Sequence, residues 1–245
     1  MNRCNKEITT AMVLAAGLGT RMQPLTKTRP KPLIPLAGKT LIDRVLDHLD
    51  SARAPKIVVN AHYKADILKQ HLVNRSGVVL SQEPELLETG GGVKNALPQI
   101  GSEPFFVVNS DAVWLDGPTR TLQRMACAWN HEKMDALLLL QRMVAVRGPT
   151  GRGDFFLDSE GNATRQQEYE IAPYLFAGVQ ILHPQLFDGT PDGAFSLNLL
   201  YDRAERAGRL RGIVHDGEWY HVGTPEQLEI AEHEIIHGSD SLNSR

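Results

Sequence analysis

Unbroken apolar runs alternate with segments of helical period through the first half of the chain. No other feature limits the fold as tightly. Met12-Val13-Leu14-Ala15-Ala16 reads as a strand over residues 11–16, followed by a Gly/Pro-rich loop over 17–38. Residues 40–52 carry Leu41, Ile42, Val45, Leu46 and Leu49 at helical spacing. Lys56 to Asn60 is a second strand, 63–73 a helix, and Val78 to Leu80 a short strand. Gly90-Gly91-Gly92 opens a short helix to Leu97. Phe105 to Asn109 is a strand stopped at Ser110-Asp111, 117–131 a helix, and Ala136 to Gln141 a further strand. A strand that is apolar on both faces needs cover on both faces, so the pattern predicts an α/β fold: a mostly parallel sheet between helices.

The second half changes character. Asp154 to Leu157, with the turn Asp158-Ser159-Glu160-Gly161-Asn162, reads as a hairpin or meander. Tyr174 to Leu182 is a strand, 196–207 a helix, and Ile213 to Val222 strand-like with a turn at Asp216-Gly217. Thr224-Pro225-Glu226-Gln227 starts a last helix to about His237, with a Thr cap, Pro at the first position and Gln closing a capping box. No linker or repeat interrupts the chain. One domain over 1–245 is expected, in two parts, about 11–142 and 143–237.

Composition removes several function classes. Of 245 residues, 42% are hydrophobic and 22% charged, too apolar for a disordered chain. Lys and Arg number 26 against 29 Asp and Glu, a net charge of -3, so the basic excess of a nucleic-acid binder is missing. No apolar stretch is long enough to span a membrane. Cys4 and Cys127 form no spaced framework, which suits a reducing, cytoplasmic setting. Arg3 and Lys6 before the run Ile8 to Leu18 loosely mimic a secretory signal, but the polar, specific residues that follow favour a first buried strand.

The chemistry concentrates in the first loop. Gly17, Gly19, Pro24, Pro30, Pro32, Pro35 and Gly38 all fall within 17–38, together with Arg21 and Lys31. Glycines after a strand let main-chain N–H groups face an anion. Arg21 adds a fork suited to phosphate oxygens, and Lys31 a second cation in a proline-stiffened loop. Two common phosphate motifs do not fit. Gly17-Leu18-Gly19-Thr20-Arg21-Met22 ends in Met rather than the third Gly of a dinucleotide turn. Gly38-Lys39-Thr40 lacks the earlier Gly of a P-loop, because Leu33 stands there, so it reads as a turn into a helix.

Gly17-Leu18-Gly19-Thr20-Arg21, Pro24 and Pro30-Lys31-Pro32 together resemble the opening loop of sugar-1-phosphate nucleotidylyltransferases. Leu87-Glu88-Thr89-Gly90-Gly91 resembles the second nucleotide loop of that family, Asn109-Ser110-Asp111 its metal turn, and Trp219-Tyr220-His221-Val222-Gly223-Thr224 its closing turn. The likeness spans about residues 11–232. The runs Leu86 to Gly92 and Gly151-Arg152-Gly153-Asp154-Phe155 are most similar to short uridylyltransferases acting on N-acetylmuramate 1-phosphate in peptidoglycan recycling. The resemblance implies a Rossmann-like, mostly parallel mixed sheet of the nucleotide-diphospho-sugar transferase type. It implies attack of a sugar 1-phosphate on a nucleoside triphosphate, UTP by preference, with release of pyrophosphate. Arg21 and Lys31 would be catalytic, and Ala15, Ala16, Gly17, Gly19, Thr20, Glu83, Thr89 and Gly90 would bind nucleotide. Gly153 would touch the sugar, while Asp111 and His221 would bind metal, so that the part over about 11–142 would bind nucleotide and the part over 143–237 would bind sugar and complete the metal site. Mg²⁺ is the implied cofactor. The implied protein is a monomer or weak dimer, without nucleic-acid or membrane partners.

The sequence also departs from that pattern. His221 stands where the family usually has a second Asp ligand, and imidazole suits Mn²⁺ or Zn²⁺ better than Mg²⁺. Three arrangements stay open: a softer ion, Mg²⁺ held by Asp111 with phosphates and water, or impaired activity. Phe176 stands where some relatives carry an Asn that contacts the sugar. The alternatives are therefore a nucleotide sensor on the same fold, or transfer to another sugar 1-phosphate such as mannose or glucose. His233-Glu234-Ile235-Ile236-His237 matches a zinc-protease pattern, but the eight residues after it offer no His or Glu, only Asp240. An exposed helix end is the better reading.

Overall fold

The computed structural model describes residues 7–146 and 151–238. Arg3, Cys4, Lys6 and Asp240 lie outside them. β1 (Thr10–Leu14) runs into three 3₁₀ turns at Thr20–Met22, Leu25–Lys27 and Lys31–Leu33. A small hairpin, β2 (Pro35–Leu36) and β3 (Lys39–Thr40), follows. Ala37 and Gly38 make its turn, both at positive φ, so the Gly-Lys-Thr run is indeed a turn. Thr40 then caps α1 (Leu41–Ser51) by accepting from the Asp43 N–H at 3.2 Å.

Next come β4 (Lys56–Ala61), α2 (Ala65–Leu72), β5 (Val78–Gln82), α3 (Glu88–Ile100) and β6 (Phe105–Asn109). The strands lie in the order β5-β4-β1-β6, every pair parallel. This is the expected doubly covered sheet. Successive side chains of a strand face opposite ways, and β6 shows the result. Phe106 enters the core under α1 and α2, while Phe105 enters the core under α3. Each buried phenylalanine contributes roughly 1.5–3 kcal/mol.

Beyond β6 lie β7 (Val113–Leu115), α4 (Thr121–Ala128), β8 (Ala136–Arg142), β9 (Phe155–Leu157), β10 (Ala163–Arg165) and β11 (Tyr174–Leu182). β11 runs antiparallel to β6 and passes the sheet on to β8. α5 (Asn198–Arg206) follows, and β12 (Leu210–Val214) pairs parallel with β8. The sheet is thus mixed but mostly parallel in its nucleotide half, with α1, α2 and α4 on one face and α3 and α5 on the other. β13 (Glu218–Tyr220) pairs with β7 in a separate two-stranded ribbon. α6 (Pro225–His237) packs on neither face of the main sheet. Its Leu228 and Ala231 instead join Met22, Ile34, Leu36, Tyr220 and Val222 in a third core behind the first loop.

Some boundaries differ from the sequence reading. The helix expected over 117–131 shortens to 121–128, because Asp116 accepts from Thr121 N–H (3.0 Å) and Trp114 Nε1 (3.2 Å) and so turns the chain there. The last helix starts as expected, with Thr224 accepting from Gln227 N–H. Gln227 Oε1, however, accepts from Gly223, one residue upstream of the usual capping-box partner.

Candidate active site

The carboxyl ends of β1, β4 and β6 open onto a cleft of roughly 410 Å³. Parallel sheets place ligands at this edge because the following loops diverge there. Ala15, Ala16, Gly17, Gly19 and Lys31 form one wall. Leu86, Glu88 and Thr89 form the facing wall, and Asn109, Ser110 and Asp111 enter from the end of β6. Thr20 and Arg21 are exposed on the 3₁₀ turn that follows Gly19.

The first loop is built to hold Lys31. Gly19 has φ 63°, and a Cβ there would come within 2.9 Å of Thr26 and 3.0 Å of the Lys31 stem. Glycine therefore supplies both the left-handed turn and the close packing. Thr26 Oγ1 donates to Gly19 O (2.9 Å) and Tyr63 Oη donates to Thr26 O (3.0 Å), which ties the loop to the chain after β4. Lys31 Nζ reaches across and ion-pairs with Asp111, their side chains 13% and 34% exposed.

His221 follows β13, and its imidazole is half-buried. Burial pushes its pKa below the ordinary value, Lys31 and Arg21 add to that, and Asp111 and Asp154 oppose it. The ring is thus neutral near pH 7 and has a lone pair to offer. Asp154 accepts from Phe176 N–H at 2.8 Å, and burial pushes its carboxyl above the usual range. Among the described residues no cluster of three or more His, Cys, Asp or Glu is poised for a metal. Asp111 and His221 could hold a divalent ion only with phosphate oxygens and water completing its shell, and the imidazole favours Mn²⁺ over Mg²⁺ in that place.

Several residues expected to contact ligand are engaged with protein. Glu83 is 2% exposed, with Oε1 accepting from Asn60 Nδ2 (2.6 Å) and Oε2 from Leu87 N–H (3.2 Å). It is not among the residues that line the cleft. Gly90 is also buried. Its N–H donates to Phe195 O at 2.8 Å, and a Cβ would strike the Phe195 ring at 2.5 Å. The Ala15 N–H is spent on Asn60 Oδ1 at 2.7 Å. Gly153 packs on the Ala172 carbonyl, 2.1 Å from where a Cβ would be, so close backbone approach explains the glycine. Thr89 does line the cleft, its Oγ1 accepting from Leu197 N–H at 3.0 Å. Asn60 and Ser196 also line it, and sequence reasoning singled out neither.

A doubly covered parallel sheet with a glycine-rich, cationic loop at its carboxyl edge defines a nucleotide-binding α/β protein. Residues 11–159 match the family described as the MobA-like NTP transferase domain. The chain is 43% identical over 229 residues to the N-acetylmuramate alpha-1-phosphate uridylyltransferase of Caulobacter vibrioides, covering 91% of this chain and 95% of that one. It is 36% identical over 230 residues to the protein of the same name in Neisseria meningitidis, covering 91% and 96%. The crystal structure of HddC from Yersinia pseudotuberculosis shares the fold at TM-score 0.75 and 22% identity, over 93% of this chain and 100% of that one. UDP-glucose pyrophosphorylase complexed with UDP-glucose does so at TM-score 0.75 and 18% identity, over 94% and 99%. The chain belongs to the MobA-like NTP transferase family and is a nucleotidyltransferase.

Proposed function

We propose that the protein transfers a uridylyl group from UTP to N-acetylmuramate 1-phosphate, giving UDP-N-acetylmuramate and pyrophosphate in cytoplasmic cell-wall sugar recycling. The observation that carries this reading is the Lys31–Asp111 pair. It sets a cation and a metal-binding carboxylate face to face where the first loop meets the end of β6. The two relatives named above supply the choice of base and sugar.

The reaction joins a sugar-phosphate oxygen to the α-phosphorus and breaks the bond to the β-phosphate. The nucleophile is already an anion, so positioning and charge neutralisation can carry the rate without a strong base. Lys31 exchanges its bond to Asp111 for phosphate oxygens and holds the two reacting phosphates together. Arg21, exposed on the turn after Gly19 and close enough to His221 to influence it, offsets charge on the leaving pyrophosphate. Gly17, with open space where a Cβ would lie, lets the triphosphate approach the backbone. A divalent ion held by Asp111, with His221 as second donor, supplies further charge neutralisation when bound.

The test is pyrophosphate release from four nucleoside triphosphates against the 1-phosphates of N-acetylmuramate, N-acetylglucosamine, mannose and glucose, in Mg²⁺ and in Mn²⁺. UTP with N-acetylmuramate 1-phosphate should be fastest, and Lys31→Ala should lower kcat by about 100-fold or more. A different preferred pair overturns the specificity. UTP binding with no pyrophosphate from any pair makes the protein a sensor instead.

A further inference from the structure

Glu83 is a buried carboxylate that the mechanism above does not use, and Asn60 lies directly against it. Both residues are 2% exposed. The Ala15 N–H can meet only an acceptor, so Asn60 must turn Oδ1 toward it and Nδ2 toward Glu83. The resulting chain of hydrogen bonds runs Ala15 N–H to Asn60 Oδ1 (2.7 Å), Asn60 Nδ2 to Glu83 Oε1 (2.6 Å), and Leu87 N–H to Glu83 Oε2 (3.2 Å). Glu83 N–H donates to Ala61 O at 2.8 Å, anchoring that carboxylate to the end of β4. Gly92 leaves room for the pair: a Cβ there would lie 2.6 Å from Glu83 Oε1 and 2.7 Å from Asn60 Nδ2. One end of the chain fixes the wall formed by Ala15 and Ala16. The other fixes the wall formed by Leu86, Glu88 and Thr89.

We propose that Asn60 and Glu83 are a positioning pair that holds these two walls at the separation a nucleoside triphosphate needs. The pair touches no reacting atom. It acts through Ala15 and Leu87, so its effect falls on nucleotide affinity and not on the sugar phosphate. The inference rests on the nucleotidyl-transfer reading.

Calorimetric binding of UTP, alone and without sugar phosphate, is the primary readout. Asn60→Ala should weaken UTP binding about tenfold or more, the loss expected for a hydrogen bond to a charged group. The KM for N-acetylmuramate 1-phosphate should change less than about twofold, as is usual for a site with no shared partner. Asn60→Asp adds a pH readout. In that variant two carboxyl groups face each other: a shared proton bridges them in acid, and its loss at higher pH leaves two like charges that repel. UTP binding by that variant should be near normal in acid and fall as pH rises, against a wild-type profile measured in parallel.

The inference fails if either folded variant binds UTP as tightly as the wild type across that range. Equal weakening toward both substrates also overturns it, because loosened packing alone would do that. A wild type that binds none of the four nucleoside triphosphates overturns the nucleotidyl-transfer reading and this inference with it. A wild type that binds UTP, beside variants that bind it equally, overturns this inference alone.

Discussion

In the proposed reaction, His221 would decide which ion the site prefers. Its ring is kept neutral by burial beside Asp111, and a neutral imidazole is a weaker partner for Mg²⁺ than for Mn²⁺. His221→Asp should raise the Mg²⁺-supported rate by roughly tenfold and narrow the gap to Mn²⁺. Initial rates in each ion measure this, and an unchanged or lower Mg²⁺ rate rejects it. Glu88 is the other unusual residue of the cleft, a non-glycine at φ 58°. Glu88→Gly should relieve about 1 kcal/mol of backbone strain, raising Tm by about 2–4 °C in a chain this size. Lys31 and Asp111 were legible in the sequence because each follows a strand in a loop of distinctive composition. Asn60 was not, since it looked like the polar end of a strand. Its partners are 45 and 23 positions away, a proximity that only the fold creates.

At the scale of elements, α3 shows how one signal can have two causes. The run Gly90-Gly91-Gly92 reads as a loop approached closely by nucleotide. In the structure all three are buried and approached closely by protein: Phe195, the Gly193 carbonyl, and the Asn60–Glu83 pair. A missing Cβ serves a phosphate and a neighbouring backbone equally well, so sequence cannot separate them. Alanine is the better helix former, yet Gly91→Ala should destabilise. Its Cβ would lie 2.2 Å from the Gly193 carbonyl, which is backbone and cannot swing aside. The expected cost is about 1–3 kcal/mol, read as a lower urea midpoint with unchanged slope. The very short strands β2, β3 and β7 were invisible for a simpler reason: two or three residues show no period.

At the scale of the whole molecule, buried His215 and half-buried His48 should set the response to acid. His215 is 3% exposed, with Nε2 near Glu218 O (3.0 Å) and Nδ1 near Thr121 Oγ1 (3.4 Å). His48 stacks on Trp114 with ring centroids 4.0 Å apart. Burial pushes both below the ordinary histidine value. The unfolded chain therefore binds their protons first, so stability is full above about pH 6.5 and falls as pH drops below it. Tm should decline between pH 7.5 and 5.5, before most carboxylates titrate, and less steeply in His215→Asn. A flat Tm over that range rejects the assignment. The alternating first half made the parallel sheet legible, while the third core was not, because it joins residues from opposite ends of the chain. Met22, Ile34 and Leu36, under the loop that bears the cations, share that core with Leu228 and Ala231 of α6. On the ribosome α6 emerges after every strand of the main sheet. A nascent chain whose sheet strands are all available must still wait for α6 before Lys31 has firm support. A product cut short after β13 would keep most of the nucleotide cleft and lose the backing of its working loop.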